Sequence, residues 1–125
     1  MIKIKHLLDT VEPDDGQRIS VEPINLTRDL REWCKVDHVL CHLGPPKALW
    51  EWFEEHPDGY DYFRGKYHQD LSRSTYKQAL RNLAKAAAKE NLTLIHVGDD
   101  SHHNTATALY EYLSELGAWS TQQEG

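Results

Sequence analysis

The first third of the chain alternates apolar and polar residues in short runs, a pattern typical of β-strands. Residues 2–8 alternate with lysine and then become apolar, and residues 17–23 alternate again, so both segments are predicted strands. A proline, two aspartates and Gly16 lie between them and predict a tight turn. Residues 36–43 are a third predicted strand, which a glycine and two prolines at 44–46 close.

The rest of the chain follows helical spacing, apart from one further β-branched run at 92–97. Apolar residues recur every three or four positions in four segments: 46–55, 58–71, a stretch beginning at Ser72 or Ser74, and 103–116. Residues 25–35 fit no single pattern, although Thr27 can cap a short helix there.

This alternation of strands and helices predicts one α/β domain. We expect a mainly parallel sheet of about four strands, covered by helices in a three-layer-like arrangement, over residues 1–117. Gly117 should end the last helix, and residues 118–125 should form a loose tail.

Composition narrows the classes of partner. The 125 residues carry 14 basic and 20 acidic side chains, a net charge of −6 without a basic tract, so duplex nucleic acid is not an expected partner. No apolar run approaches the roughly 20 residues that cross a bilayer, and the first residues lack the apolar centre of a signal peptide. We therefore expect a cytoplasmic protein with no membrane partner, in which Cys34 and Cys41 are free thiols.

The most informative segment is the polar loop after the strand at 92–97. The carboxyl end of a parallel strand is where α/β proteins bind ligands. Histidine is the side chain most often used as a general acid or base, and His103 together with Asp100 is predicted to move a proton. The structural alternative is that Asp100 or Ser101 only caps the following helix. His96, on the preceding strand, is expected to be buried and hydrogen-bonded.

Two other sets have a functional and a structural interpretation. Arg18 can clamp an anion with its planar guanidinium, or it can pair with an aspartate of the preceding turn. Sulfur and imidazole groups fall within nine residues at Cys34, His38, Cys41 and His42, but a strand points Cys41 and His42 to opposite faces. We therefore expect no metal site there and no cofactor.

The aromatic residues of 50–67 mostly share helical stripes and should be core. Trp52 and Tyr62 fall off those stripes. They either form an exposed patch for a protein partner or a lid over a ligand, or they are partly buried against the neighbouring helix.

Three stretches resemble the YeaO-like branch of domain-of-unknown-function family 488. Pro13-Asp-Asp-Gly-Gln-Arg-Ile19 matches the start of the family's P-x-D-G-x-R-x-L-V-D-R-L-W-P-R-G run. Residues 44–53 match its A-P-S-x-x-L-R-x-W-F segment. Residues 93–109 match its T-L-L-Y-A-A-x-D-x-x-H-N-x-A-x-x-L run. The resemblance extends from Ile2 to Leu113; it implies the family's fold and where its site lies, but no reaction.

One part of the pattern is changed. The family's D-R-L-W-P-R-G falls at residues 22–28, where Glu22 replaces the aspartate, and both arginines and the tryptophan are replaced at their aligned positions 23, 27 and 25. An activity that depended on this loop would be lost or altered here.

Together these observations predict a pocket at the strand ends that binds a small anionic or phosphate-bearing ligand. Its expected residues are Arg18, Glu22, Asp99 and Asn104 for binding, and His103 with Asp100 for proton transfer. Whether the protein is an enzyme is left open. The alternative is a non-catalytic protein-interaction module on the same fold that has lost the arginine-rich loop.

Overall fold

Four parallel strands form one sheet in the computed structural model, which describes residues 1–24 and 26–124, with side chains as far as Leu116. The strands are β1 (Ile2–His6), β2 (Gln17–Ser20), β3 (His38–Val39) and β4 (Leu92–His96). Their order across the sheet is β1-β4-β2-β3, and every neighbouring pair is parallel. The α/β class and the parallel sheet of four strands are confirmed.

Five α-helices connect and cover the strands within these described residues. They are α1 (Arg28–Trp33), α2 (Lys47–Glu55), α3 (Tyr60–Leu71), α4 (Lys77–Lys89) and α5 (Thr105–Glu124). The ambiguous segment before β3 therefore forms the short helix that Thr27 can cap, and the Thr27 hydroxyl accepts from the Leu30 amide at 3.1 Å.

The hydrophobic core lies mainly on one face of the sheet. Alternate residues of β2 and β4, such as Ile19 and Leu94, meet buried aromatic and leucine side chains of α3, α4 and α5. A smaller cluster on the other face joins Ile95 to Leu7 and to Val36, just after α1. This asymmetry explains why α1 has no buried residue, whereas Phe63 and Tyr67 of α3 are fully buried.

Two predicted boundaries are wrong. The third strand was expected over 36–43, but β3 pairs only at His38–Val39, and residues Cys41–Leu43 turn into a 3-10 helix. The strand stops because the amides of Leu43 and Gly44 bond back to the carbonyl oxygens of Leu40 and Cys41, at 2.9 and 3.0 Å, instead of to β2. The last helix does not end at Gly117, because α5 continues to Glu124. The division into a domain of 1–117 and a tail of 118–125 stays a prediction.

The turn before β2 forms as expected. Residues Pro13–Asp15 make a 3-10 turn, and Gly16 follows with a φ of +63°, a conformation that side-chain-bearing residues rarely adopt. A Cβ on Gly16 would also lie 1.9 Å from the Asn91 carbonyl oxygen. The turn therefore sets β2 directly against the start of β4, which aligns the two strand ends that carry the site.

Candidate functional site

A cavity of about 310 Å³ opens where β2 and β4 end, a size within the range of small-molecule sites. Three segments line it: Glu22 after β2; Trp50, Phe53, Glu54 and Pro57 from α2 and the turn beyond it; and Gly98, Asp99, Asp100, His103, Asn104 and Thr105 before and at the start of α5. The structure thus brings together Glu22, Asp99, Asp100, His103 and Asn104, five of the six residues singled out from the sequence.

Glu22 is the most unusual group in this cavity, because its side chain is only 2% exposed yet lines the space. One carboxylate oxygen accepts from the Trp50 indole N–H at 3.0 Å, and the other accepts from the Val97 amide at 3.2 Å. Burial raises the pKa of Glu22 to about 7, against the lowering effect of these two hydrogen bonds. The carboxyl group therefore changes charge near neutrality.

The loop before α5 is organised by Asp100. One of its oxygens accepts from the amides of His102 and His103, and the other contacts His103 Nδ1 at 3.0 Å. The hydrogen bond from the His102 amide, followed by that from the His103 side chain, holds the pKa of Asp100 below its ordinary value. Both side chains are about half exposed, so the pair lies at the rim of the cavity. The contact with Asp100 orients the His103 ring there.

Asn104 joins the Asp100 loop to the first turn of α5. Its side-chain oxygen accepts from the Thr107 amide at 2.8 Å, and its side-chain nitrogen donates to the Asp100 carbonyl at 2.9 Å. Asn104, and neither Asp100 nor Ser101, is therefore the cap of α5. Through these two hydrogen bonds Asn104 also joins the start of the helix to the loop that carries the histidine.

The aromatic wall was not foreseen from the sequence. Trp50 and Phe53 line the cavity from α2, and the Phe53 ring stacks on the buried Phe63 ring with centroids 4.4 Å apart. The helical spacing predicts Trp50 and Phe53 to be core residues and gives no sign that they line a cavity. A signal was available, because an indole N–H needs a partner when it is buried, and Glu22 is the partner that it finds.

Arg18 is the one candidate that the structure does not bring to the cavity. It lies at the amino end of β2, whereas the cavity opens beyond its carboxyl end, and its side chain is 2% exposed. The guanidinium donates to Asp15 at 2.7 Å and to the carbonyl oxygens of Cys34 and Lys35. The pairing with a turn aspartate, weighed above as the structural alternative, is what the structure shows.

Asp15 is the centre of that buried ionic cluster. Besides Arg18, both Lys3 and Lys5 of β1 approach its carboxylate within 3.2 Å. Burial by itself raises the pKa of Asp15, but the hydrogen bonds from Lys5, the Glu12 amide, Lys3 and Arg18 outweigh it and hold the pKa well below its ordinary value. The cluster joins the first turn to β1 and supports the fold at the end of the sheet opposite the cavity.

Trp52 and Tyr62, the two aromatic residues outside the helical core stripes, are partly covered by neighbouring residues. Trp52 stacks on His56 with ring centroids 4.6 Å apart, touches Tyr62 and lies over Gly59, where an added Cβ would meet its ring at 2.5 Å. Tyr62 is 55% exposed. Trp52 therefore fills the corner between α2 and α3, and a protein partner on the Trp52/Tyr62 face stays a prediction.

The remaining histidine and cysteine predictions concern His96, the two thiols and a metal site. His96 is buried, and its Nδ1 contacts the Gly98 carbonyl oxygen at 3.0 Å, as expected. Both cysteines are free thiols, Cys34 buried and Cys41 exposed. Among the described residues, no three histidine, cysteine, aspartate or glutamate side chains converge in a way that could hold a metal ion.

The comparisons with known proteins now identify the family. The profile described as the inactive DUF488-N3 subclade matches residues 1–124. This chain belongs to that DUF488 family. The YeaO-like branch within it stays a prediction.

The chain is also similar to curated mycobacterial proteins that carry no functional name. Uncharacterized protein Rv3073c of Mycobacterium tuberculosis and uncharacterized protein Mb3100c of Mycobacterium bovis are each 30% identical to the chain over 88 residues, which cover 66% of this chain and 70% of theirs. No solved structure matches the chain significantly. In the part of the chain that the structure describes, none of the helices has the length and apolar character needed to cross a membrane.

Proposed function

We propose that this DUF488 protein is a small-molecule-binding domain that holds its ligand in the cavity at the ends of β2 and β4. The observation that carries the proposal is the buried carboxylate of Glu22 beneath a cavity that Trp50 and Phe53 wall on one side. A concave space with an apolar wall and a few fixed polar groups is the usual form of a ligand site.

The features of the loop favour binding without turnover. The subclade to which the chain belongs is described as inactive. Both oxygens of Asp100 already accept hydrogen bonds within the loop, so this carboxylate is committed to holding the loop and the His103 ring in place. Neither arginine that the resembled family pattern has after its aspartate is kept at its aligned position, where Pro23 and Thr27 stand.

An acid–base enzyme is the second candidate, and a specific contact favours it. The Asp100–His103 pair has the geometry of an oriented imidazole, with Nδ1 held and Nε2 left for a substrate. Glu22, whose pKa of about 7 suits proton transfer, lines the same cavity. In this version His103 and Asp100 keep the catalytic roles predicted from the sequence.

The predicted anionic or phosphate-bearing ligand has one supporting feature, the amino end of α5 at the cavity, where Thr105 is a lining residue. It has lost another, because Arg18 is bound elsewhere. The charge of the ligand is therefore tested separately from the existence of the site.

The site itself is tested by thermal unfolding of the wild type and of Gly98→Leu with a panel of phosphate, sulfate, nucleotides, sugar phosphates and small amines. Gly98 lines the cavity, and a Cβ there meets nothing within 4 Å, so leucine should fit and fill the opening. A ligand at about 100 times its Kd should stabilise the wild type by about 2.7 kcal/mol. The proposal fails if no compound stabilises the wild type, or if a stabilising compound acts equally on Gly98→Leu while both proteins unfold cooperatively without ligand.

A further inference from the structure

The proposed function leaves the chemical class of the ligand open, and the lining of the cavity restricts it. Resting on that proposed function, we propose that the ligand is a small organic cation, an amine or amidine with a flat apolar body, whose charged end binds the carboxylate of Glu22. The inference depends on the buried acid, the aromatic wall and the charge of the rim, which are separate observations.

The charge of the cavity points to a cation. Four carboxylates, those of Glu22, Glu54, Asp99 and Asp100, face one imidazole, that of His103, and no lysine or arginine is among the lining residues that the structure describes. Like charges repel at short range, most strongly at Glu22, which is the buried member of the four, and a small anion would find no lysine or arginine to offset that repulsion. A cation gains from the same arrangement.

Glu22 can accept the donors of such a ligand. Each of its oxygens accepts one hydrogen bond, from Trp50 or from Val97, and each keeps a second lone pair. Among the described residues no lysine, arginine or histidine forms an ion pair with Glu22, so its carboxylate has no salt-bridge partner within the fold. A bound cation would supply that partner, and charge-assisted hydrogen bonds are the stronger kind.

The wall of the cavity selects an organic body over a bare metal ion. Trp50 and Phe53 present ring surface to the cavity, and aromatic faces attract both flat apolar groups and cations. A space of about 310 Å³ is much larger than one ion needs. The described residues also contain no convergent set of three metal-ligating side chains.

The test uses three probes that share one ring and differ in charge: benzylamine, benzyl alcohol and benzoate. Each is titrated into the ¹⁵N-labelled full chain at about pH 8, where the Glu22 carboxyl is ionised, and the backbone amide shifts of Gly98 and the neighbouring loop report binding. The variants are Glu22→Gln, Gly98→Leu and a matched control, Glu55→Gln, which removes one charge from the exposed end of α2 outside the cavity.

We expect benzylamine to bind at least about tenfold more tightly than benzyl alcohol, and benzoate to bind more weakly than either. Glu22→Gln should remove the advantage of benzylamine over benzyl alcohol, whereas Glu55→Gln should keep it. Gly98→Leu should abolish the shifts from all probes.

Two other results separate the two proposals. If benzoate binds as tightly as benzylamine, or if Glu22→Gln keeps the benzylamine advantage, the cation inference is wrong while the cavity still binds ligands. If no probe shifts the loop amides, or if Gly98→Leu leaves the shifts unchanged, the cation inference is wrong, and the proposed function fails with it only if the thermal unfolding panel also finds no ligand.

Discussion

The charge of Glu22 should make the stability of this protein fall as the pH rises through neutrality. Burial raises the pKa of its carboxyl from the ordinary 4.5 to about 7, so the folded state favours the protonated acid more than the unfolded state does. The contribution of this group to stability is therefore fully present below about pH 4.5 and lost as the pH rises through about 7.

The magnitude follows from the two pKa values. A difference between 4.5 and about 7 corresponds to about 3 kcal/mol at high pH, of which roughly 2.5 kcal/mol should develop between about pH 5 and about pH 8.5. Glutamine at position 22 cannot ionise, so Glu22→Gln should show no such loss. A glutamine side chain has only one acceptor oxygen, so either the Trp50 indole or the Val97 amide loses its hydrogen bond in this variant. That cost does not depend on pH.

Urea unfolding followed by circular dichroism, across this pH range, measures the difference in unfolding free energy between the wild type and Glu22→Gln. Glu55→Gln is the control, because it removes the same charge from an exposed position. Other titrating groups, such as His96, are common to all three proteins and largely cancel in the difference. The reasoning is refuted if the difference in unfolding free energy is constant with pH. It is also refuted if the wild type becomes more stable relative to Glu22→Gln as the pH rises.

The rest of the structure gives three further predictions. Asp15→Asn should destabilise the fold by about 3 kcal/mol in urea unfolding, because it leaves the buried guanidinium of Arg18 without its carboxylate. The control Asp14→Asn, at a side chain 66% exposed, should cost less than about 1 kcal/mol, and equal effects would contradict a buried cluster. Gly16→Ala should lower the Tm sharply, because the new Cβ would overlap a backbone carbonyl and the residue would keep a φ of +63°. Gly65→Ala, in open space on α3, should instead stabilise the protein by about 0.5 to 1 kcal/mol. If Gly16→Ala were the more stable of the two variants, the turn described here would be wrong. Asn104→Ala should cost about 1 kcal/mol in the same unfolding assay through loss of the α5 cap, and an unchanged stability would show that the cap is dispensable.

The comparison of Glu22 with Arg18 shows how far sequence reasoning reached at the candidate site. Both were selected from the resembled motifs, and both are buried. A strand has two ends, however, and the motif alone does not say that Arg18 begins β2 while Glu22 follows its end. Only the folded sheet separates the supporting ionic cluster from the cavity.

The sequence by itself determined the α/β class, the number of strands and the loop of residues 98–104, because hydrophobic periodicity and turn residues act locally. It also placed five residues of the cavity, since the carboxyl ends of parallel strands meet at one edge of the sheet. The tertiary structure alone decided that Trp50 closes over Glu22, that the third strand shortens to His38–Val39, and that the carboxyl of Glu22 becomes hard to ionise. Those outcomes depend on contacts between segments far apart in the chain, such as Glu22 with Val97, and on the burial that such contacts create.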